Sequence, residues 1–270
     1  MIPAYNVEKF LADALESALG QTYSGSYEIL VVNDGSTDKT KDITDAYQRM
    51  SNEIRVIHQE NKGNAFARNV LLDHAKGNIL LGLDADDVLD PAALEKVVSY
   101  FRTHHDVGMI YSDQHEISED GTMLRTRKRS VCNLFSDKLA YHCHFQGHLR
   151  SYRRDMLSKV RFNETLRSAV DYDFFLNLRS QTKVDHIPEV LYKYRLNNNG
   201  ISLGKKEPVV DTTLNLLRRH LIEKRIYADR TFEIVPVVVD HGIRYFDHFI
   251  DNKSVMDSKA REVLLDYLRS

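Results

Sequence analysis

Apolar and polar positions change period repeatedly along the first hundred residues. Val7, Phe10, Leu11, Ala14, Leu15, Ala18 and Leu19 recur at helical spacing, which predicts a helix over 7–19. Ahead of it, Met1-Ile2-Pro3 opens almost inside a strand. Residues 28–32 form a short apolar run of the buried-strand type, ending in Asn33-Asp34-Gly35-Ser36-Thr37-Asp38. That cluster is a strand-to-helix turn whose Ser, Thr and Asp side chains can cap the next helix. Helix 38–50, strand 55–58, a polar turn at Asn61-Lys62-Gly63, helix 64–75 and strand 78–83 follow. Asp84-Ala85-Asp86-Asp87 then leads to Asp90-Pro91, which places Pro in the first turn of another helix, and 107–111 reads as a strand. Strands alternating with short helices predict βαβ units and a mostly parallel sheet, an α/β fold flanked by helices.

Beyond residue 112 the rhythm differs. Residues 115–129 read as a hairpin turning at Glu119-Asp120-Gly121 and ending in the basic run Arg125-Thr126-Arg127-Lys128-Arg129. A helix is predicted over 171–179, and two short strands over 184–195, separated by Pro188. Residues 207–226 read as helix, 231–239 as strand-like and 254–269 as helix, so 206–270 is expected to be a mainly helical C-terminal extension.

Composition narrows the class. With 42% hydrophobic and 28% charged residues, the 270-residue chain has the ordinary mixture of a globular protein with a substantial core. A formal charge of −2 excludes a global basic field for nucleic acid. Apolar runs such as 79–83 and 235–239 are far below the roughly 20 residues of a bilayer crossing. No signal peptide is visible, and two cysteines, Cys132 and Cys143, make no disulfide framework. A cytoplasmic location is expected, with peripheral attachment to the inner face of the membrane as an option.

The chemistry concentrates in acidic clusters at strand ends. In open parallel sheets, ligands bind outside the carboxyl ends of the strands. Asp34 follows one predicted strand, and Asp84, Asp86 and Asp87 follow another. Three Asp within four residues are costly to ionise together without a cation, and hard oxygen donors favour Mg²⁺ or Mn²⁺. The alternative is that Asp34, Asp87 and Asp90 serve as helix caps, a reading that suits Asp90 best and Asp86 least.

Four segments carry a resemblance. Ile2-Pro3-Ala4-Tyr5-Asn6, Val32-Asn33-Asp34-Gly35-Ser36-Thr37-Asp38, Asn61-Lys62-Gly63 with Ala67-Arg68-Asn69, and Leu83-Asp84-Ala85-Asp86-Asp87 occur in the order and spacing of family 2 glycosyltransferases. Ala169-Val170-Asp171-Tyr172-Asp173 and Tyr194-Arg195 resemble that family's acceptor-side motif and closing strand. His144-Phe145 ahead of them is most similar to the transferase domains of bacterial chondroitin-type capsule polymerases.

The resemblance implies a GT-A type, Rossmann-like domain over 1–205, with a nucleotide-binding half (1–112) and an acceptor-binding half (113–205). It implies inverting transfer of a sugar from a nucleotide diphosphate donor, usually UDP-linked, to a glycan or lipid-linked acceptor. Pro3, Ala4, Tyr5, Asn6 and Asp34 would surround the uracil, and Asn61, Gly63 and Arg68 would line the nucleotide pocket. Asp84 and Asp86 would form the DxD pair at ribose and metal, Asp87 would share the Mn²⁺ or Mg²⁺, and Asp171 would be the general base. Three departures stand out: Val170 where the family usually has Glu, Asn197 where a His often completes the metal shell, and no Trp for the processive synthases' Gln-x-x-Arg-Trp. The family's first strand also normally starts several residues earlier, so a chain clipped at its start is expected.

Two other functions fit less well. A nucleotidyltransferase should open with a Gly-rich, Arg/Lys-bearing triphosphate loop, which Pro3-Ala4-Tyr5-Asn6 lacks. A non-catalytic sugar-nucleotide or glycan-binding module would account for the shortened start, Val170 and Asn197. Elsewhere, His142, Cys143, His144 and His148 have weak spacing for zinc, and packing or a sugar contact suits them better. The basic run 125–129 is a solvated hairpin edge, or faces an acidic glycan or anionic lipid. Helix 213–226, with Leu214, Leu217 and Leu221 beside Arg218 and Arg219, is expected to pack on the core rather than lie on a membrane. Tyr141 and Tyr152 are candidates to stack on a sugar ring.

Overall fold

A computed structural model describes residues 1–128, 147–157, 160–197, 212, 216, 232–239 and 242–249. The first half alternates as the periodicity predicts. Strand β1 (Ile2–Ala4), helix α1 (Leu11–Leu19), strand β2 (Ile29–Asp34), helix α2 (Thr40–Met50), strand β3 (Ile54–Gln59) and helix α3 (Asn64–His74) form a three-stranded parallel sheet with its helices. Strand β2 is buried on both faces, and alternation divides it. Leu30 and Val32 join a core with α3, while Ile29 and Val31 join one with α1.

Helix α1 starts at Leu11, later than the apolar spacing suggests, because Val7 and Phe10 lie in the turn that precedes it. The N-terminus of α2 is held as predicted: the Asp38 carboxylate accepts from the backbone N–H of Thr40 (2.9 Å) and of Glu8 (3.0 Å).

The second sheet is mixed. Strand β4 (Ile79–Leu81), strand β5 (Val88–Leu89), helix α4 (Ala93–Thr103), strand β6 (Val107–Ile117) and strand β7 (Met123–Arg127) precede strand β8 (His148–Arg153), helix α5 (Val170–Arg179) and strand β9 (Lys183–Arg195). The strand order is β4-β8-β6-β9-β5, with β7 paired to β6, and only β6 and β9 run parallel. The backbone of Met1 joins the two sheets, donating to Leu81 O (2.9 Å) and accepting from Leu83 N (3.1 Å).

Two elements are longer than the pattern suggests. Strand β6 is continuous where a strand and a separate hairpin arm were expected. Its central Ser112, Asp113 and Gln114 are buried polar residues, each with a partner: Ser112 Oγ donates to Asp113 O (2.8 Å), Asp113 meets His186 (2.9 Å) and Gln114 meets His148 (2.7 Å). Strand β9 passes through Pro188 without breaking. The partner of β6 jumps from Ile187 to Val190 there, so the residue without an N–H sits in a bulge.

Towards the C-terminus, strand β10 (Phe232–Val239) matches the strand-like run, but it pairs antiparallel with strand β11 (Gly242–Phe249). The extension therefore includes a hairpin, whose second strand, with Asp247 and His248, gave no apolar strand signal. The expected helices 207–226 and 254–269 lie outside the described residues, except for Thr212 and Leu216. Leu216 is buried in the α3–α5 core, which agrees with packing at that position. Tyr141, His142, Cys143, His144 and Arg129 also lie outside the described residues.

Candidate active site

The acidic residues gather where β1, β2 and β4 end. Asp34, the last residue of β2, is buried and accepts from Gln59 Nε2 (2.7 Å), Lys62 N (2.9 Å) and Gly63 N (2.8 Å). It thereby pins the 59–63 loop and retains one of its roughly four lone-pair positions. Two glycines are required here. Gly63 has φ 94° with open space around it, so its conformation rather than a close approach demands Gly; Gly35 has φ 68°, and a Cβ there would meet Asn61 N at 2.5 Å. Asn6, at φ 50°, ties the strand end to the same turn by accepting from Thr37 N (2.8 Å) while its own N–H donates to Ser36 Oγ (3.0 Å). Ala4 is buried, Pro3 is half-buried, and Tyr5 and Asn61 are exposed at the mouth of this region.

Across from Asp34, α3 presents Arg68. Its Nη2 donates to Asp84 Oδ1 (2.5 Å) and its Nε to Asn64 Oδ1 (3.0 Å). Burial opposes charge on Asp84, yet Arg68, Arg150 and His148 outweigh it and hold the carboxyl well below the usual range. The neighbouring carboxylates behave oppositely. Burial, then the Asp84 charge, pushes Asp86 up to about 6 despite the hydrogen bond from Asn197 Nδ2 to its Oδ2 (2.6 Å). Burial and the charges of Asp86 and Asp84 push Asp87 up as well.

Asp87 is braced by β9. Tyr192 Oη donates to its Oδ2 and Arg195 N to its Oδ1, both at 2.7 Å, and Tyr192 Oη accepts from Asp84 N (3.1 Å). Burial and the carboxylates keep the Tyr192 phenol protonated, as this donor role requires. Arg195 then locks the end of β9, donating to Asp86 O (2.8 Å), Glu119 O (2.7 Å) and Asp13 Oδ2 (2.7 Å). Asp87 is a strut between β4 and β9 in this arrangement. Asp90 instead closes the turn ahead of α4, its Oδ1 accepting from Ala92 N (3.0 Å).

Oxygen or nitrogen atoms of Asp84, Asp87 and His148 lie within 4.8 Å of one another, a spacing that can hold a cation. The Asp86 carboxylate is not in that group. It faces Asn197, whose buried Oδ1 has no hydrogen-bond partner among the described residues. An orphaned amide oxygen beside a carboxylate fits a hard divalent cation. The donors as a whole are oxygen-rich with one imidazole, which suits Mg²⁺ or Mn²⁺.

Asp171 opens α5 and is half-exposed, and its Oδ1 accepts from the N–H of Tyr172 (3.0 Å). Its Oδ2 pairs with Arg150 Nη2 (3.0 Å). Arg150 is buried on β8, and the charges of Asp171 and Asp84 hold it protonated against burial. Sequence reasoning missed Arg150, which no motif or regular alternation marks: Leu149 beside it has φ 57° and the β6–β8 register shifts there. His148, weighed earlier only within a zinc cluster, instead bonds Gln114 and stacks on Tyr192 and Tyr194, with ring centroids 5.1 and 4.5 Å away. Tyr152 is buried and packs edge-on against Phe174, so it is a core residue.

The sequence profile of glycosyl transferase family 2 matches residues 1–161. A chondroitin synthase of Escherichia coli is 32% identical over 208 residues, which cover 76% of this chain and 29% of that protein. The chain thus spans less than a third of that relative's length. S. aureus TarS, residues 1–349, in complex with UDP-GlcNAc superposes with a TM-score of 0.68 at 22% identity, covering 82% of this chain and 65% of the other. The mannosyltransferase PcManGT from Pyrobaculum calidifontis, in complex with GDP-Man and Mn²⁺, superposes with a TM-score of 0.58 at 17% identity, covering 84% and 74%. These superpositions show the GT-A fold. With more than half its length matched by the profile, the chain belongs to glycosyl transferase family 2.

Proposed function

We propose that this chain is an inverting transferase that moves a sugar from a UDP-linked donor to a hydroxyl of a glycan or lipid-linked acceptor. The observation that carries this reading is Arg150, which pairs with Asp171 and lies within the charge field of Asp84. A base and a leaving-group site are thereby held on one rigid scaffold. The UDP and UDP-GlcNAc complexes of a protein with the same fold support a nucleotide-sugar donor.

Pro3, Ala4, Tyr5, Asn6 and Asp34 would receive the base, and Asn61, Gly63 and Arg68 the remainder of the nucleotide. Asp34 holds the loop and offers its free lone pair. Asp84 takes the ribose side, held ionised by Arg68. Asp86, with Asn197 beside it, and the Asp84–Asp87–His148 group would hold Mn²⁺ or Mg²⁺; when bound, the cation neutralises charge on the departing diphosphate.

Asp171 takes the proton of the acceptor hydroxyl as its oxygen attacks the anomeric carbon from the face opposite the diphosphate. The bond to the β-phosphate oxygen breaks, UDP departs with the electron pair, and the anomeric configuration inverts. Arg150 fixes the direction of the Asp171 carboxylate, so the base is aimed rather than free to rotate.

Thermal unfolding with UDP, GDP, CDP and dTDP, each with and without Mn²⁺, tests the donor site, since a ligand of the native state raises the melting point. Stabilisation by UDP that requires Mn²⁺ is expected. Indifference to every nucleotide refutes the reading in favour of a non-catalytic module. In a transfer assay Asp171→Asn should abolish turnover while leaving UDP stabilisation intact, and retained turnover removes Asp171 as the base.

A further inference from the structure

Strand β7 carries a charge arrangement that donor binding and proton transfer leave unused. Arg125 and Arg127 both donate through Nε to the two carboxylate oxygens of Glu116 on β6, Arg125 to Oε2 (2.5 Å) and Arg127 to Oε1. Glu116 is buried, with a side chain 4% exposed, whereas the Arg125 and Arg127 side chains are 44% and 24% exposed. Two guanidinium groups share one carboxylate, which leaves a net charge of +1. The terminal nitrogens of both guanidinium groups make no hydrogen bond to a described residue. One buried anion therefore orders one exposed and one half-buried fork, and a planar fork is the group that takes an oxyanion in paired hydrogen bonds.

The position of this pair decides what it serves. Opposed residues of paired strands share a face, so Arg127, Gln114 and Tyr192 form one row across the sheet, and Arg125, Glu116 and Tyr194 the next. His148 lies on this same face, bonded to Gln114 and stacked on Tyr192 and Tyr194. Strands β8 and β7 follow each other along one edge of β6, with His148 opposite Ser112, Arg127 opposite Gln114 and Arg125 opposite Glu116. Arg127 is thus two strand positions from His148, roughly 7 Å, and Arg125 four, roughly 13 Å. The row starts at His148, a member of the candidate cation group.

We propose that Arg125 and Arg127, ordered by Glu116, bind a monoanionic group of the acceptor glycan: the carboxylate of a uronic acid or the phosphodiester of a polyol-phosphate chain. This assignment to the acceptor rests on the glycosyltransferase reading above. A net charge of +1 matches one such anion, and a strand spacing of about 3.3 Å per residue sets the two forks roughly 7 and 13 Å from His148.

The test is calorimetric binding by the full chain. The probes are a hexasaccharide alternating glucuronate and N-acetylglucosamine, the same hexasaccharide with its carboxyls reduced to alcohols, a glycerol-phosphate hexamer, and phosphatidylglycerol–phosphatidylcholine vesicles. One of the two anionic oligomers should bind at least about tenfold more tightly than the reduced hexasaccharide, and the tighter one identifies the source of the anion. Arg125→Gln/Arg127→Gln should lose that preference while UDP stabilisation stays unchanged. Because this variant strands Glu116 without a cation, Glu116→Gln/Arg125→Gln/Arg127→Gln is measured beside it and should behave alike.

No preference in the unaltered chain, or a preference kept in both variants, overturns the proposal. So does a loss confined to vesicle binding, which would make the strand a membrane contact. If UDP fails to stabilise the unaltered chain while the anion preference stands, the glycosyltransferase reading falls and the anion site is supported.

Discussion

Replacing Tyr192 by Phe removes one oxygen and should be costly out of proportion to its size. That oxygen donates to Asp87 Oδ2 (2.7 Å) and accepts from Asp84 N (3.1 Å), and Asp87 is fully buried. A hydrogen bond contributes roughly 0.5–1.5 kcal/mol net, and leaving a buried acceptor unsatisfied costs about 1–3 kcal/mol, so the loss is about 3 kcal/mol. For a domain of this size about 3 °C accompanies each kcal/mol, so the melting point should fall by about 9 °C. Protonation gives the sign with pH. Burial and the Asp86 and Asp84 charges already raise the Asp87 pKa above its unfolded value, and losing the phenol raises it further. Stability from this group is present at low pH and lost as pH rises through the folded pKa, so the deficit of the variant should widen with rising pH. Differential scanning fluorimetry at one acidic and one alkaline pH measures it, with Asp87→Asn and the double variant completing a cycle. A coupling of about 1–3 kcal/mol is expected between the two sites. A drop of less than about 2 °C, or an equal deficit at both pH values, refutes the strut role of Asp87.

Other expectations are narrower. Asp86 titrates at about 6, so protons compete with a cation there; Mn²⁺-dependent stabilisation by UDP should weaken about tenfold in apparent metal affinity per unit below that pH, measured by titration at several pH values. Gly35→Ala forces a side chain into φ 68° and against Asn61 N, and should cost about 1–3 kcal/mol in urea unfolding while weakening UDP binding through the Asp34 loop. Arg150→Gln should leave UDP stabilisation nearly intact but lower turnover by about ten- to a hundredfold, because Asp171 loses its orientation; an unchanged rate would detach Arg150 from the reaction.

The nucleotide-side elements were legible because each is local. Helical spacing in α1, the capping cluster after β2 and the Asp run after β4 all act within a dozen residues of themselves, and the parallel strands they imply form as expected. What escaped depends on distant partners. Ser112, Asp113 and Gln114 break the apolar pattern of β6, yet bury without penalty because His186 and His148 meet them from β9 and β8. Pro188 signals a break only if its missing N–H would leave a ladder bond unmade, and the bulge removes that need. Arg150 carries no motif, and its role exists only because β8 pairs with β4 beside Asp84 and lies against the start of α5.

The same distinction explains how three aspartates in four residues come to do different work. Proximity alone would make Asp84, Asp86 and Asp87 compete for protons as near equals. Their partners from elsewhere in the chain break that symmetry. Arg68 from α3 and Arg150 from β8 keep Asp84 ionised. Tyr192 and the Arg195 backbone from β9 hold both oxygens of Asp87 and fix its orientation. Asp86 has the Asn197 amide, its own backbone and the Arg195 charge against burial and the Asp84 charge, and its carboxyl is still pushed up to about 6. In the proposed function Asp86 therefore exchanges a proton for the cation near neutrality, while Asp87 enters the cation group already held in place.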